Sequence, residues 1–154
     1  MLTCTFAGHA ELYADIREHL YKVIDDCLQN TDEAIFYVGG RGKFDRMAEN
    51  TVRAAKERYK NKDIRLYLVE PYMSVRLNRD REYNMQLYDD IIIPTELMGV
   101  HPKAAIPKRN RLMVDWSDLV IAYVCRDYGG AFQTLNYARR KNKRIINLAE
   151  QTEK

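Results

Sequence analysis

Two glycine-rich loops carry the residue types that could hold an anion. The first glycine loop (residues 39–42) stands between an apolar run and an amphipathic stretch, and the second glycine loop (residues 129–131) stands at a similar junction. A strand that ends in such a loop before a helix gathers unpaired backbone N–H groups at the positive end of the helix dipole. Because the carboxyl ends of parallel strands lie at one edge of a sheet, we expect both loops to face one crevice. That crevice is predicted to bind phosphate, and therefore a nucleotide or nucleotide-like ligand.

The first glycine loop also has a purely structural explanation, since glycines relieve crowding in a tight turn. Three glycines in four positions, beside Arg41 and Lys43, exceed what one turn requires and favour anion binding. The loop lacks the Gly-Lys-Ser/Thr ending of a P-loop and the full dinucleotide fingerprint, which argues against ATP hydrolysis. Asp45, at the start of the next helix, either complements the helix dipole or accepts a ligand hydroxyl, and the sequence leaves both open.

Other side chains join the predicted site because they stand at strand or helix ends. Thr134 lies one turn inside the helix after the second glycine loop, whose glycines either meet a positive-φ requirement or complete a phosphate cradle. His9 follows Gly8 at the end of the first strand, although a lone histidine is more often structural than catalytic. Arg109 and Asn110 stand near the expected start of a later helix, and on their own they indicate little.

Length and composition indicate one domain and no strong long-range field. The chain has 154 residues, is 46% apolar and carries a formal charge of +3, with both signs interspersed. The basic run at residues 139–144 fits a helix C-terminus, where cations offset the dipole, better than a nucleic-acid site. No apolar run approaches the length of a signal-sequence core or a membrane span, so we expect a cytoplasmic protein.

The cysteines and histidines argue against a disulfide framework or a metal site. Cys4, Cys27 and Cys125 are far apart, and each stands among apolar neighbours as buried thiols do. His19 and His101 have no carboxylate or cysteine partner at the spacing of metal ligands. No metal site is predicted.

Apolar periodicity places these residues on alternating strands and helices. We expect strands at 2–6, 34–38, 64–69, 91–93, 119–124 and 144–148, and helices at 11–29, 44–59, 81–88, 107–117 and 131–142. Residues 73–90 are expected to form a mobile excursion that contains the third helix, Pro107 to lie in a first helical turn, and residues 149–154 to fray. This alternation favours an α/β fold with a mostly parallel sheet, right-handed crossovers and helices on both faces.

Five segments of the sequence, in order and at similar spacing, resemble one known group of proteins. They are residues 3–9, 39–49, 70–72, 109–118 and 129–138, and they span nearly the whole chain. The chain resembles the YpsA-like branch of the SLOG superfamily, a Rossmann-like group whose relatives include the DNA-processing protein DprA and the Lonely Guy phosphoribohydrolases. The resemblance implies a Rossmann-like three-layer fold. It also implies a pocket for nucleotide-derived ligands such as NAD, ADP-ribose or nucleoside phosphates. The resemblance makes Arg109 a stronger candidate for binding a ligand in that pocket.

The sequence departs from the enzymes of this superfamily at the position that matters for catalysis. Lonely Guy enzymes carry a glutamate shortly after the glycine pair of a Pro-Gly-Gly-x-Gly-Thr-x-x-Glu signature, and nucleoside deoxyribosyltransferases use a glutamate nucleophile near a comparable loop. Here the corresponding position is Asn136, and no acidic residue occurs between Gly130 and Glu150. Glycosidic cleavage needs a carboxylate, which an amide replaces poorly. Catalysis would then depend on a carboxylate from elsewhere, and the candidates are Asp45, Glu49 and Asp115.

Taken together, the sequence predicts a single SLOG-like nucleotide-binding domain over residues 1–154. Its role is to sense or bind a nucleotide-type ligand, with no cofactor required, and a homodimer through a helix face is expected. The alternative is an N-glycosidic hydrolase or transferase acting on nucleoside phosphates, and a lesser alternative is single-stranded nucleic-acid binding by analogy with DprA. Tyr72 or Tyr128 is expected to stack on the base. The predicted ligand-binding residues are Gly8, His9, Gly39, Gly40, Arg41, Gly42, Asp45, Tyr72, Arg109, Asn110, Tyr128, Gly129, Gly130, Ala131 and Thr134.

Overall fold

The computed structural model describes residues 1–74, 79 and 81–152, which form alternating strands and helices. The strands are β1 (Leu2–Gly8), β2 (Glu33–Val38), β3 (Asp63–Val69), β4 (Asp90–Ile92), β5 (Leu119–Tyr123) and β6 (Arg144–Asn147). The helices are α1 (Arg17–Leu28), α2 (Lys43–Arg58), α3 (Arg81–Leu87), α4 (Pro102–Asp115), α5 (Gly130–Arg140) and α6 (Leu148–Thr152), with a 3₁₀ turn at Thr95–Leu97. No described helix combines the length and the apolar composition needed to cross a bilayer.

The six strands pair in parallel in the order β4-β3-β2-β1-β5-β6. From β1 the chain moves outward through β2, β3 and β4, and then crosses back to place β5 on the other side of β1. The direction of winding therefore changes between β1 and β5, whose ends Gly8 and Tyr123 are register partners. In open α/β sheets such a switch point opens the crevice where ligands bind.

Alternating side chains of the central strands build a core on each face of the sheet. On one face Phe6, Phe36 and Ile121 pack with α1 and α2, whereas on the other face Val120 and Ala122 pack with α4 and α5. This two-sided burial is expected for parallel strands, since helices cover both faces. The predicted fold class is confirmed: the chain is a Rossmann-like α/β fold with a parallel sheet between helical layers.

Two helices begin at positions that differ from the periodicity prediction. Helix α1 begins at Arg17 and not at residue 11, because the Asp15 carboxylate accepts the Arg17 N–H (3.2 Å) and fixes the start there. Helix α4 begins at Pro102, where the His101 ring accepts the Lys103 N–H (3.2 Å) as a cap. Pro107 consequently lies inside α4 and not in its first turn.

Two further predictions need correction, and one lies partly outside the described residues. Residues 149–152 are helical where fraying was predicted, because the Asn147 side chain accepts the Ala149 N–H (3.2 Å) at the start of α6, while residues 153 and 154 lie outside the described part of the chain. Of the three thiols only Cys4 is buried, while Cys27 is half-buried and Cys125, beyond the end of β5, is exposed. Helix α3 lies within the predicted excursion, but residues 75–78 and 80 are outside the described part of the chain.

Candidate functional site at the carboxyl edge of the sheet

The first glycine loop folds around the side chain of Asp45. Gly40 (φ +70°) and Gly42 (φ +91°) both adopt left-handed conformations, and Gly42 caps α2 without a side-chain hydrogen bond. The Arg41 N–H donates to Asp45 Oδ2 (3.4 Å), and the nearby backbone of Gly39 also favours the charged form of this carboxylate. Burial nevertheless raises the pKa of Asp45 to about 7, against the opposing effects of these amides and of Arg109. The backbone groups predicted to hold a phosphate therefore hold a carboxylate of the chain itself.

The end of β1 packs directly against the start of α2. The Lys43 N–H donates to the Ala10 carbonyl (2.8 Å), so another amide at the start of α2 is already paired. A Cβ atom on Gly42 would lie 2.7 Å from Ala10 Cα, and one on Gly8 would lie 2.1 Å from Phe44 Cδ2. The absence of a side chain at Gly8 and Gly42 is thus required by contacts within the chain.

Arg109 is buried and links the ends of two strands by hydrogen bonds. Its side chain is only 3% exposed and its Nη1 donates to the carbonyls of Gly39 (3.2 Å) and Val69 (2.8 Å), while Nε donates to Asn110 Oδ1 (2.8 Å). Burial lowers the pKa of the guanidinium, and the Asp45 carboxylate opposes that shift. A Cβ atom on Gly39 would lie 3.0 Å from Arg109 Cζ. Arg109 therefore holds the first glycine loop in place from behind.

The second glycine loop is more open than the first. Gly129 (φ +93°) caps α5 without a side-chain hydrogen bond, and the first turn of α5 contains no acidic residue. A Cβ atom on Gly130 would have no atom within 4 Å, so packing does not require a glycine at this position. The Thr134 hydroxyl donates to the Gly130 carbonyl (2.9 Å), and Arg126 Cζ lies 4.9 Å over the Tyr128 ring.

His9 joins the ends of β1 and β5 at the switch point. The side chain is 5% exposed, and its Nε2 accepts the N–H of Cys125 (3.1 Å). Burial first, and then the charge of Arg126, lower the pKa of His9, which keeps Nε2 available as an acceptor. The sequence offered a structural and a ligand-facing role for His9, and this geometry shows a structural bond.

The two glycine loops line separate cavities. The cavity beside Gly40, about 260 Å³, is lined by Gly40, Arg41, Leu68, Glu70, Tyr72, Ser74, Asn84 and Tyr88. The cavity beside Gly130, about 230 Å³, is lined by Ile106, Pro107, Asn110, Arg111, Gly130, Gln133, Thr134, Tyr137 and Arg140. The two loops follow β2 and β5, and β1 lies between these strands in the sheet. Gly8 and His9, at the end of β1, therefore lie between the two loops. Of the predicted ligand-binding residues, Gly40, Arg41 and Tyr72 line the first cavity and Asn110, Gly130 and Thr134 line the second, while the other predicted residues line neither.

Charged and aromatic groups meet in the Gly40 cavity, and some were missed in the sequence. Arg41 Nη2 lies 4.0 Å from Glu70 Oε2, and Arg41 Cζ lies 5.7 Å from the centre of the Tyr72 ring. The signal for Glu70 was available, because it directly follows a buried strand and so stands at the carboxyl edge. Asn84 and Tyr88 belong to the weakly patterned segment around α3, where spacing carried no signal.

Of the three carboxyl groups considered for catalysis, two lie near the first glycine loop. Glu49 is 7% exposed, accepts the Tyr88 hydroxyl (2.8 Å) at Oε1, and has its pKa raised by burial. Together with Asp45 it lies beside the Gly40 cavity. Asp115 ends α4 just before β5 begins, at the opposite edge of the sheet, where it accepts the Tyr137 hydroxyl (2.7 Å). Within the described part of the chain, no three His, Cys, Asp or Glu side chains meet as metal ligands would.

Replacing Asp45 with asparagine is expected to stabilise the protein above pH 7 and to change it little near pH 4. The Asp45 pKa is about 7 in the folded chain, against about 3.9 in an unfolded chain. The folded state thus holds the proton more tightly, so this stabilisation is fully present below about pH 4 and is lost as pH rises through about 7. The asparagine side chain does not ionise, so the variant does not lose this stability as the pH rises. We expect a gain of about 2 kcal/mol at about pH 8, below the ceiling of about 4 kcal/mol that the two pKa values allow.

Urea unfolding of both proteins at about pH 4 and about pH 8 checks this expectation. Glu57→Gln is the matched control, because Glu57 is an exposed carboxylate on the same helix and interacts only with exposed Lys60 (4.0 Å). A gain from Asp45→Asn of equal size at both pH values would contradict the assignment of the titration to Asp45.

Comparison with known proteins shows the fold. No family model matches the sequence, and no curated protein matches it. Among solved structures, DNA processing protein A from Helicobacter pylori, described for its single-stranded DNA binding mode, is similar with a TM-score of 0.63 and 17% identity. DNA processing protein A from Streptococcus pneumoniae is similar with a TM-score of 0.65 and 15% identity. The similarity covers 94% of this chain, but only 63% and 49% of those two chains.

Proposed function

We propose that this protein binds a nucleotide or nucleotide-derived metabolite at the carboxyl edge of its sheet. The observation that carries the proposal is the Gly40 cavity, where Arg41, Glu70 and Tyr72 meet beside a left-handed glycine. A cation, a carboxylate and an aromatic ring are the groups that recognise phosphate, hydroxyl or amino groups, and a base. The position agrees with the rule that ligands of such sheets bind outside the carboxyl ends of the strands.

Each part of the site has a distinct role in this proposal. Tyr72, over which Arg41 already lies, offers its ring to a base, and Tyr128 with Arg126 forms a similar pair near the second glycine loop. Glu70 accepts hydroxyl or amino hydrogens of the ligand. The open start of α5 at Gly129, Gly130 and Ala131 offers backbone amides to a phosphate, with Thr134 one turn behind.

The proposal extends to the place of the protein among its relatives. The shared fold with DNA processing protein A, together with the five sequence segments described above, supports membership of the SLOG superfamily and its YpsA-like branch. We accordingly propose that residues 1–154 act as one nucleotide-binding domain. Its role is that of a cytoplasmic ligand sensor, working as a homodimer without a further cofactor.

Arg41→Ala is expected to weaken nucleotide binding about tenfold, because it removes the cation that faces the Gly40 cavity. The measurement is calorimetric titration of AMP, ADP-ribose and NAD into the protein and the variant. Arg65→Ala is the matched control. It removes an equally exposed arginine of β3 that is paired with Asp63 (3.0 Å) near the amino end of the strand, away from the cavity. Absence of binding by every member of the panel to the unaltered protein contradicts the proposal.

The same panel distinguishes a binding protein from an enzyme. Asp45, with a pKa of about 7, and buried Glu49 are carboxyl groups near the Gly40 cavity in addition to Glu70 in its lining, and they favour the alternative of N-glycosidic hydrolysis or transfer. Chromatography of the incubated panel for free base decides between the two. Release of base that is lost in both Asp45→Asn and Glu49→Gln replaces sensing with catalysis, whereas binding without release supports sensing.

A basic surface on one helical layer favours single-stranded nucleic acid as a second candidate ligand. Helices α4 and α5 and the turn after α5 carry seven cations, of which Arg139 is paired with Glu150 (3.6 Å), and they are Lys103, Lys108, Arg111, Arg139, Arg140, Lys141 and Lys143. The Helicobacter pylori protein of similar fold is described as binding single-stranded DNA. Titration of an unstructured oligonucleotide tests this candidate. Binding that falls steeply with salt and is weakened by Arg140→Ala, but not by Arg65→Ala, supports it.

A further inference from the structure

The two glycine loops have the same backbone design but opposite electrostatic content. Both α2 and α5 begin with a left-handed glycine that supplies no side-chain cap. In α2 the first turn contains Asp45, whose carboxylate accepts the Arg41 N–H (3.4 Å). In α5 the first turn contains no acidic residue. The first glycine loop therefore encloses a carboxylate of the chain itself, whereas the second glycine loop does not.

An anionic ligand group meets three obstacles at the first glycine loop. The Arg41 amide is bonded to Asp45, and the Lys43 amide is bonded to Ala10. Displacing Asp45 exposes the ligand to the charge of a half-buried carboxylate, which is screened less than it would be in water. Glu49, one turn further along α2, adds a second carboxyl group of the same sign. An uncharged hydroxyl meets no such repulsion, since a carboxylate accepts hydroxyl hydrogens readily.

We propose that Asp45 is a specificity-determining residue, which makes the first glycine loop select an uncharged, hydroxyl-bearing part of the ligand and exclude phosphate. The ligand class is then a nucleotide whose sugar faces this loop and whose phosphate lies elsewhere in the site. The identity of the ligand rests on the proposed function, whereas exclusion of anions is a property of the loop alone and is tested without a nucleotide.

The charges around Asp45 set how this exclusion depends on pH. Arg109 from α4 faces the carboxylate as a cation, and Glu49 from α2, whose own pKa is raised by burial, faces it as an acid. The Asp45 pKa of about 7 makes this carboxyl a group that changes its charge near neutral pH. Exclusion of anions is thus expected above about pH 7 and is relaxed when Asp45 is protonated.

The test uses sulfate, whose charge is constant from about pH 5.5 to about pH 8.5. Sulfate is titrated into isotope-labelled protein while the amide resonances of Gly39 and Arg41 are followed by NMR. In the unaltered protein we expect no saturable shift of these amides at about pH 8.5 and a measurable shift at about pH 5.5. In Asp45→Ala, which empties the loop, we expect sulfate to shift these amides about equally at both pH values, with binding at about pH 8.5 at least about tenfold tighter than in the unaltered protein.

Several controls keep the outcome decisive. Asp45→Asn, a neutral isostere, is expected to abolish the pH dependence and serves if the alanine variant fails to fold. Glu57→Ala removes an exposed carboxylate of the same helix and is expected to change nothing. Equal sulfate binding to the unaltered protein and Asp45→Ala at about pH 8.5 overturns the proposal, and so does absence of binding to both alanine and asparagine variants.

A titration with AMP separates this inference from the proposed function. If no nucleotide binds but sulfate behaves as expected, the proposed function fails and the exclusion stands. If AMP shifts the Gly39 and Arg41 amides but the nucleoside without the phosphate does not, the phosphate occupies the first loop. In that case nucleotide binding stands and the selectivity assigned to Asp45 is wrong.

Discussion

Gly8→Ala is expected to lower the free energy of unfolding by about 3 kcal/mol or more, enough to leave a domain of ordinary stability largely unfolded in mild denaturant. The new Cβ would lie 2.1 Å from Phe44 Cδ2 and 2.2 Å from Phe44 Cγ, which no packed structure accommodates. Phe44 cannot move aside easily, because its fully buried ring lies in the core shared by β1, β2 and α2. The end of β1 would have to separate from α2 instead.

Urea unfolding followed by circular dichroism measures this effect. Gly130→Ala is the matched control, because a Cβ at Gly130 has no neighbour within 4 Å and Gly130 is the first residue of α5. Alanine there is expected to be neutral or to stabilise by up to about 1 kcal/mol. A Gly8→Ala protein as stable as Gly130→Ala would show that the contact between Gly8 and Phe44 is not as tight as described.

Arg109→Met is expected to destabilise the protein by about 3 to 5 kcal/mol. Methionine has a similar reach but cannot donate hydrogen bonds, so the carbonyls of Gly39 and Val69 lose their partner in a buried position. Asp45 also loses the nearby cation, which should raise its pKa further above about 7. The loss should therefore be larger at about pH 8 than at about pH 5, where Asp45 is protonated.

Unfolding of Arg109→Met in urea at both pH values gives the two free energies. Lys108→Met is the matched control on the same helix, since Lys108 is exposed and its removal is expected to change stability by less than about 0.5 kcal/mol. A loss for Arg109→Met that is small, or identical at the two pH values, would contradict the assigned contacts with the strand ends and with Asp45.

The strands and helices followed from the sequence because their signals are local. Apolar runs such as that of β5 and the spacing along α2 report burial directly, so the fold class was predicted from alternation alone. The starts of α1 and α4 did not follow. They depend on Asp15 and His101, whose side chains act on amides two residues later, and periodicity contains no information about such bonds.

The role of the glycines was the least predictable part of the candidate site. A glycine needed for a ligand and a glycine needed for a neighbouring side chain look alike in a sequence, because both report only that a Cβ would be in the way. Gly8 and Gly39 were assigned to the ligand, and the structure shows that Phe44 and Arg109 occupy the space next to them. Those contacts join residues distant in sequence, so one chain read alone could not reveal them.

The side chain of Asp45 illustrates the same limit in the opposite direction. The sequence showed that Asp45 stands at the start of α2. It left open whether the carboxylate complements the helix dipole or accepts a ligand hydroxyl. Which partner it meets depends on how the backbone of residues 39–42 turns, and that path is set by Arg109 behind the loop and Ala10 beside it. Arg109 belongs to α4, far along the chain, and Ala10 lies in the loop after β1.

The bond between His9 and Cys125 has a mechanical consequence for the two cavities. Any displacement of the first turn of α2 must either break the bond from Lys43 to Ala10 or carry the tip of β1 with it. Movement of that tip must in turn either break the bond from Cys125 to His9 or shift the backbone that leads into the second glycine loop. The two hydrogen bonds therefore couple the first turn of α2, on one side of β1, to the segment that leads into the second glycine loop, on the other side. A structural change in one cavity is expected to alter the backbone beside the other.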